Sequence, residues 1–162
     1  MNDVKLLGIY LNDHLAGSVG GIELTKRILG ENEGNEYGRF LSDLLAEIES
    51  DQQTLKDLMK RLEISESLPK QGAAWMAEKA GRFKLNGRLA GYSPLSRLVE
   101  LESLALGVEG KLAMWRSLDH VSSGEESLTP FDFPALMERA KAQLDRIERY
   151  RLEAAAQALA VS

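Results

Sequence analysis

Apolar residues recur at alternating steps of three and four along most of the chain, the spacing that places them on one side of an α-helix. The clearest run predicts a helix from about Glu36 to Ile64, with its inward positions at Leu41, Leu44, Ile48, Leu55, Leu58 and Leu62. Strand-like alternation of apolar and polar positions is absent from the sequence. The pattern therefore predicts an all-α protein.

Stop and start signals predict the remaining helices. A first helix is expected from about Val4 to Leu29, and a short third helix from Pro69 to about Lys84. Ser93 followed by Pro94 is typical of a helix start and predicts a fourth helix that reaches about Leu118. Asp132 is predicted to cap a last helix that runs to near the end of the sequence.

Two long helices joined by a short turn pack antiparallel, so the first and second helices should form one hairpin, and the fourth and fifth another. The short third helix would then lie in a long crossover between the hairpins. This is the connectivity of a ferritin-like four-helix bundle, and a plain up-and-down bundle with an extra helix is the alternative. We expect a single domain over residues 1–162, because this length suits one core.

Composition excludes several classes of protein. The chain has no cysteine, which excludes disulfides, thiolate zinc sites and cysteine nucleophiles. Its first apolar run soon reaches Asn12 and Asp13, unlike a signal peptide or a membrane span, so we expect a soluble, cytoplasmic protein without a membrane partner. The net charge of −5 gives no overall attraction to nucleic acid.

Two polar residues occupy positions where apolar ones are expected. His14 lies on the inward face of the first helix, and Asp51 is the one inward position of the second helix that is not apolar. If the turn is centred between Asn32 and Glu33, an antiparallel hairpin places His14 opposite Asp51. A hydrogen bond between them would satisfy both buried groups, so we predict this pair, with Asp13 and Glu47 as nearby alternatives if the register differs.

Two acids of the fourth helix extend this hypothesis to a metal site. Glu102 and Glu109 are two turns apart on one face, with apolar neighbours on either side. One histidine and three carboxylates could hold Fe, Mn or Zn in a bundle core, and the predicted ligands are His14, Asp51, Glu102 and Glu109. A structural polar network without a cofactor is the interpretation that we favour, because buried polar groups are normally paired for stability alone.

The other unusual side chains have simpler interpretations. His120 follows the predicted end of a helix and should be a solvated loop residue. Trp75 and Trp115 are expected to anchor the core.

Basic residues are concentrated around the crossover. Residues 69–97 carry a net charge of +5, and the rest of the chain therefore carries −10, which together give −5. Near the predicted helix start at Ser93, four cations could bind an anionic ligand together with the free backbone N–H groups: Arg82, Lys84, Arg88 and Arg97. The alternative, which we favour, is that these cations form salt bridges to the acidic helices.

Three stretches of the chain, YLNDHLAG (10–17), WMAEKAGRFKLNGRL (75–89) and SPLSRLVELESL (93–104), resemble an uncharacterised family of bacterial helical-bundle proteins of similar length. The resemblance implies a ferritin-like fold and supplies no activity. Ferritin-like di-iron proteins carry Glu-x-x-His on two helices. Here the third position after Glu47 is Ser50 and that after Glu148 is Arg151, so a standard di-iron site is not expected.

No complete catalytic motif occurs in the sequence: it lacks a P-loop, a Gly-rich dinucleotide loop, an HExxH helix and a Ser-His-Asp nucleophile pattern. The sequence therefore favours a non-enzymatic binding or structural protein, which we expect to form a homodimer. The alternative is a metal-binding protein or metal-dependent enzyme with a non-standard ferritin-like site around His14.

Overall fold

The computed structural model describes residues 2–67 and 91–160. Over these two ranges the chain forms four long helices and a short 3₁₀ helix that precedes the last of them. The long helices are α1 (Asn2–Glu31), α2 (Glu36–Arg61), α3 (Pro94–Ser122) and α4 (Phe133–Leu159), and the 3₁₀ helix is Glu126–Leu128. No strand occurs in the described ranges, so the all-helical prediction is confirmed.

No helix in the described ranges is long and apolar enough to cross a bilayer. The predicted third helix at about residues 69–84 and the predicted core residue Trp75 lie outside the described residues.

Both predicted helix caps are confirmed. The Ser93 hydroxyl accepts a hydrogen bond from the Ser96 N–H at 3.2 Å, and the Asp132 carboxylate accepts one from the Ala135 N–H at 3.0 Å. Each cap satisfies a backbone donor that has no partner inside its helix. Local sequence thus determines where α3 and α4 begin.

The first hairpin differs from its prediction at two helix ends. α1 continues to Glu31, two residues beyond the predicted end at Leu29. α2 ends at Arg61 instead of Ile64, because the chain turns at Glu63, whose φ of 55° lies in the left-handed region. The turn brings the next residues onto α1, where Asn12 binds the Ser65 carbonyl at 3.1 Å and the Ser67 N–H at 2.6 Å.

The directions of the helices follow from contacts between their ends. Arg27 and Asn32, near the end of α1, lie beside Glu100 and Tyr92, at the start of α3, so α1 and α3 are antiparallel. Phe40, near the start of α2, stacks on Tyr150, near the end of α4. α2 and α4 are therefore also antiparallel. Since α1 and α2 form a hairpin, α2 and α3 run parallel.

The core consists of two apolar clusters stacked along the bundle. The first cluster lies towards the α1–α2 turn and contains Leu41, Leu44, Leu101, Leu104 and Ile147. The second lies towards the 3₁₀ helix and contains Leu11, Leu15, Leu55, Trp115 and Phe133. Trp115 is fully buried, so its prediction as a core anchor is confirmed.

Gly38 lies against the backbone of the tight α1–α2 turn, where there is no room for a side chain. A Cβ at this position would collide with the backbone carbonyl of Asn32, which cannot move without opening the turn. We expect Gly38→Ala to lower the free energy of unfolding by about 1–3 kcal/mol, the usual cost of forcing an extra group into a packed site. Chemical denaturation measures this loss.

Gly30→Ala is the matched control, because a Cβ at Gly30 meets no atom within 4 Å and lies in helix α1. We expect it to be neutral or to stabilise the protein by up to about 1 kcal/mol. Equal effects of the two substitutions would contradict the close approach of Gly38 to Asn32.

Candidate functional site

A buried charge lies between the two apolar clusters. Asp51 is only 3% exposed, and its neighbours along the inward face of α2 are Ile48 in the first cluster and Leu55 in the second. The prediction that Asp51 is a buried polar group is confirmed. We call the residues joined to it the Asp51 network: Glu47, Asp51, Lys111, Arg139, Gln143 and Arg146.

Asp51 accepts hydrogen bonds from two other helices. The Lys111 ammonium of α3 donates to Asp51 Oδ2 at 2.5 Å and to Gln143 Oε1 at 2.5 Å. From α4, Arg139 Nη2 donates to Asp51 Oδ1, and Gln143 Nε2 donates to Asp51 Oδ2 at 3.1 Å. Both carboxylate oxygens are therefore bound, and one side chain connects α2 to α3 and α4.

Glu47 continues the network towards solvent. It lies one turn before Asp51 on α2, and its Oε2 accepts from Gln143 Nε2 at 3.0 Å and from Arg146 Nη2 at 2.6 Å. Gln143 has no exposed surface and uses both ends of its amide within the network. The two acids of the network thus face three cations, Lys111, Arg139 and Arg146.

Within the Asp51 network, burial and the neighbouring charges act on Lys111 in opposite directions. Burial lowers the pKa of Lys111 because it disfavours the charged ammonium, and the Asp51 carboxylate opposes this shift. The nearby Arg139 guanidinium lowers the pKa of Lys111 further. The Asp51 carboxylate therefore stabilises the two neighbouring cations, Lys111 and Arg139, at this partly buried position.

The predicted hydrogen bond between His14 and Asp51 is not formed. Gln52, the neighbour of Asp51, donates to Ser18 at 2.9 Å, so Asp51 lies about one turn further along α1 than His14. The hairpin is offset because α1 extends to Glu31 and the chain reverses later than predicted. His14 is half-buried and packs edge-on against Tyr10, with ring centroids 4.7 Å apart.

The four predicted metal ligands do not come together. Glu102 pairs with Arg151 at 3.4 Å, and Glu109 with Arg116 at 3.8 Å, both on the outer side of α3. Asp51 is engaged with its own network, away from them. Across residues 2–67 and 91–160, no group of three or more His, Cys, Asp and Glu residues could hold a metal ion. The described positions of His14, Asp51, Glu102 and Glu109 therefore correct the prediction of a shared ligand set.

Of the four predicted anion-binding cations, Arg97 lies in the described part of the chain and Arg82, Lys84 and Arg88 lie outside it. Arg97 Nε donates to Asn32 Oδ1 at 2.9 Å, and its guanidinium carbon lies 4.2 Å from the Tyr37 ring centre. Arg97 is thus built into the joint between the α1–α2 turn and α3. His120 is exposed, as predicted, but it lies in the last turn of α3 and not in a loop, because α3 continues to Ser122 instead of ending at about Leu118.

Glu100 forms a second buried ionic site beside this joint. It is 1% exposed, and Arg27 Nε lies 3.2 Å from its Oε1. Burial raises the pKa of Glu100, and the Arg27 charge offsets only part of that shift. A carboxyl whose pKa is higher in the folded state stabilises the protein fully below its unfolded pKa, and this contribution is lost as the pH rises through the folded pKa.

Glu100→Gln should remove this pH dependence. We expect the free energy of unfolding of the wild type, relative to that of Glu100→Gln, to fall as the pH rises from about 4 towards 7, because only the wild type must bury a charge. Urea denaturation at a series of pH values measures the difference. If the free energies of unfolding of the two proteins change with pH in parallel, the raised pKa of Glu100 is contradicted.

Comparisons of the chain with protein-family models, with curated proteins and with solved structures found no match.

Proposed function

We propose that this protein is a non-enzymatic helical-bundle protein that works by binding another protein chain on the outer face of its α3–α4 hairpin. The observation that carries the proposal is a set of large apolar side chains exposed on this face. They are Leu95, Val99 and Leu106 on α3, and Leu152 and Leu159 on α4. An apolar face of this kind on a folded domain is characteristic of a contact surface.

The two apolar rows lie side by side. Leu95, Val99 and Leu106 fall within about 40° of one another around the axis of α3. Glu102 borders this row and forms its ion pair with Arg151, the neighbour of Leu152. The rows of α3 and α4 therefore flank one ion pair and form a continuous face, which we call the hairpin face.

The Asp51 network supports a structural role for the interior. Its carboxylates are bound by cations and an amide, so they are poorly suited to act as a general base or as metal ligands. A polar layer that must pair residues of three specific helices would favour one alignment of the bundle. The antiparallel hairpins and the parallel α2 and α3 support a ferritin-like arrangement of this scaffold.

The binding role of the hairpin face can be tested with an anilinonaphthalenesulfonate dye, which fluoresces on exposed apolar surface. We expect the folded protein, kept dilute enough to be monomeric, to bind the dye saturably, and the double variant Leu106→Gln, Leu152→Gln to lose most of the signal while unfolding at an unchanged temperature under the same conditions. The matched control is Leu6→Gln on α1, which is also exposed. No binding to the folded monomer, or equal binding by all variants, would overturn the proposal.

A further inference from the structure

We infer that the partner of the hairpin face is a second copy of this chain, which packs α3 against α3 in antiparallel orientation about a two-fold axis at Leu106. This inference rests on the proposed function and names its partner. Leu106 is 75% exposed, the highest value among the large apolar side chains described, and it lies near the middle of α3.

The size of the side chains changes along the outer row of α3. Before Leu106 the row carries large residues, Leu95 and Val99, and after it small ones, Ala113 and Ser117. A two-fold axis at Leu106 pairs positions that lie equally far from it on opposite sides. Val99, seven residues before, then meets Ala113 of the second copy, and Leu95, eleven before, meets Ser117.

Along the whole row, this pairing places a large side chain opposite a small one. Each copy would place its large half on the small half of the other, which is how two helices approach closely without voids. Glu102, four residues before the axis, meets Gly110, where no side chain competes for its position. A parallel arrangement would instead set large residues against large ones and leave gaps between the small ones.

The charges on the hairpin face also suit this pairing. The α3 row has no charged residue at 95, 99, 106, 113 or 117, and Glu102, which the second copy covers, already has its counter-ion in Arg151. Because α3 and α4 are antiparallel, the Glu102–Arg151 pair fixes which residues of the two helices lie at the same level along the bundle. Leu106, four residues after Glu102, therefore lies at the height of residue 147, four before Arg151. The same axis then places Asp145 opposite Arg149 of the second copy, and both are exposed on α4.

The area of the hairpin face is close to that of ordinary protein interfaces. The row from position 95 to position 117 is about 33 Å long, and two helices side by side are about 20 Å wide. The resulting face of about 660 Å² approaches the roughly 800 Å² per partner of an ordinary stable interface. The self-complementary face is thus large enough for a homodimer, and a two-fold axis uses it on both copies at once.

Cysteine cross-linking tests the axis directly, because the chain has no cysteine of its own. A residue on the axis lies next to its own copy, so Leu106→Cys should form a covalent dimer within minutes under mild oxidation. Leu6→Cys is the matched control, since it is a comparably exposed leucine on α1. We expect it to cross-link at least tenfold more slowly. Equal rates for the two variants would overturn the inference.

Sedimentation equilibrium from about 1 to 100 μM tests the association itself. We expect a wild-type dimer, and Leu106→Arg should raise its dissociation constant at least 100-fold, because it sets two cations against each other on the axis. Leu6→Arg should leave the dissociation constant unchanged. A wild-type monomer at 100 μM, or a dimer that survives Leu106→Arg, would overturn the inference.

The dye experiment separates failure of this inference from failure of the proposed function. A monomer that binds the dye through Leu106 and Leu152 would retain the binding role of the hairpin face but exclude a second copy as the partner. A monomer that binds no dye would overturn both.

Discussion

Replacing Asp51 by alanine is expected to lower the free energy of unfolding by about 3 kcal/mol. The substitution removes the carboxylate that both Lys111 and Arg139 bind, and leaves two neighbouring cations without their shared anion. Removing one partner of a buried pair typically costs 3–5 kcal/mol, and the lower end applies because both cations keep some contact with solvent. Chemical denaturation at neutral pH measures this loss.

Two variants test the cause of the Asp51→Ala effect. Asp51→Asn keeps an acceptor for one hydrogen bond and should cost less than alanine. Asp43→Ala on the same helix removes an exposed carboxylate and should change the free energy of unfolding by less than about 0.5 kcal/mol. If Asp43→Ala is as damaging as Asp51→Ala, the effect reflects helix propensity or net charge and not the buried network.

Trp115→Ala should have the largest effect, with a loss of about 3–5 kcal/mol. Trp115 is fully buried in the second apolar cluster, where its ring centre lies 6.2 Å from that of Phe133. Alanine would leave a cavity in the middle of this cluster, and close-packed helices cannot collapse fully into it. The measurement is again chemical denaturation, followed by circular dichroism because the substitution removes a fluorophore.

Trp115→Phe separates packing from hydrogen bonding. The indole N–H of Trp115 is buried without a hydrogen-bond partner, so its removal sacrifices no bond. We expect phenylalanine to retain most of the packing and to cost less than about 1.5 kcal/mol. A loss as large as that of Trp115→Ala would show that the site requires the indole itself.

The fold could largely be predicted because its signals are local. Ser93 and Asp132 cap their helices with their own side chains, within three residues of the donors that they satisfy. The apolar spacing of α2 is a property of one segment, and it also revealed Asp51 as an exception. The residues where helices begin and the face that each one buries are therefore encoded over short stretches of sequence.

The partners of Asp51 could not be predicted in the same way. They come from α3 and α4, 60 or more residues away, and their choice depends on how the four helices align. Arg139 also looks like a surface residue in sequence, because long charged side chains often reach solvent from a partly buried backbone.

Two features of the sequence nevertheless pointed to partners of Asp51. Gln143 lies three residues after the buried Ala140 and four before the buried Ile147, and Lys111 lies four residues before Trp115. An amide and an ammonium at inward helical positions indicate an internal polar layer that needs an acid. Asp51 is such an acid, and a search for polar residues at inward positions of α3 and α4 would have found Lys111 and Gln143, two of its three partners.

Asp51 is bound by Lys111 and not by His14, and a pair of double-mutant cycles tests this most directly. One cycle combines Asp51→Ala with Lys111→Met, and the other combines Asp51→Ala with His14→Ala, each measured by chemical denaturation. We expect a coupling energy of about 2 kcal/mol for Asp51 with Lys111, and less than about 0.5 kcal/mol for Asp51 with His14. A strong coupling of Asp51 to His14, with none to Lys111, would contradict the account.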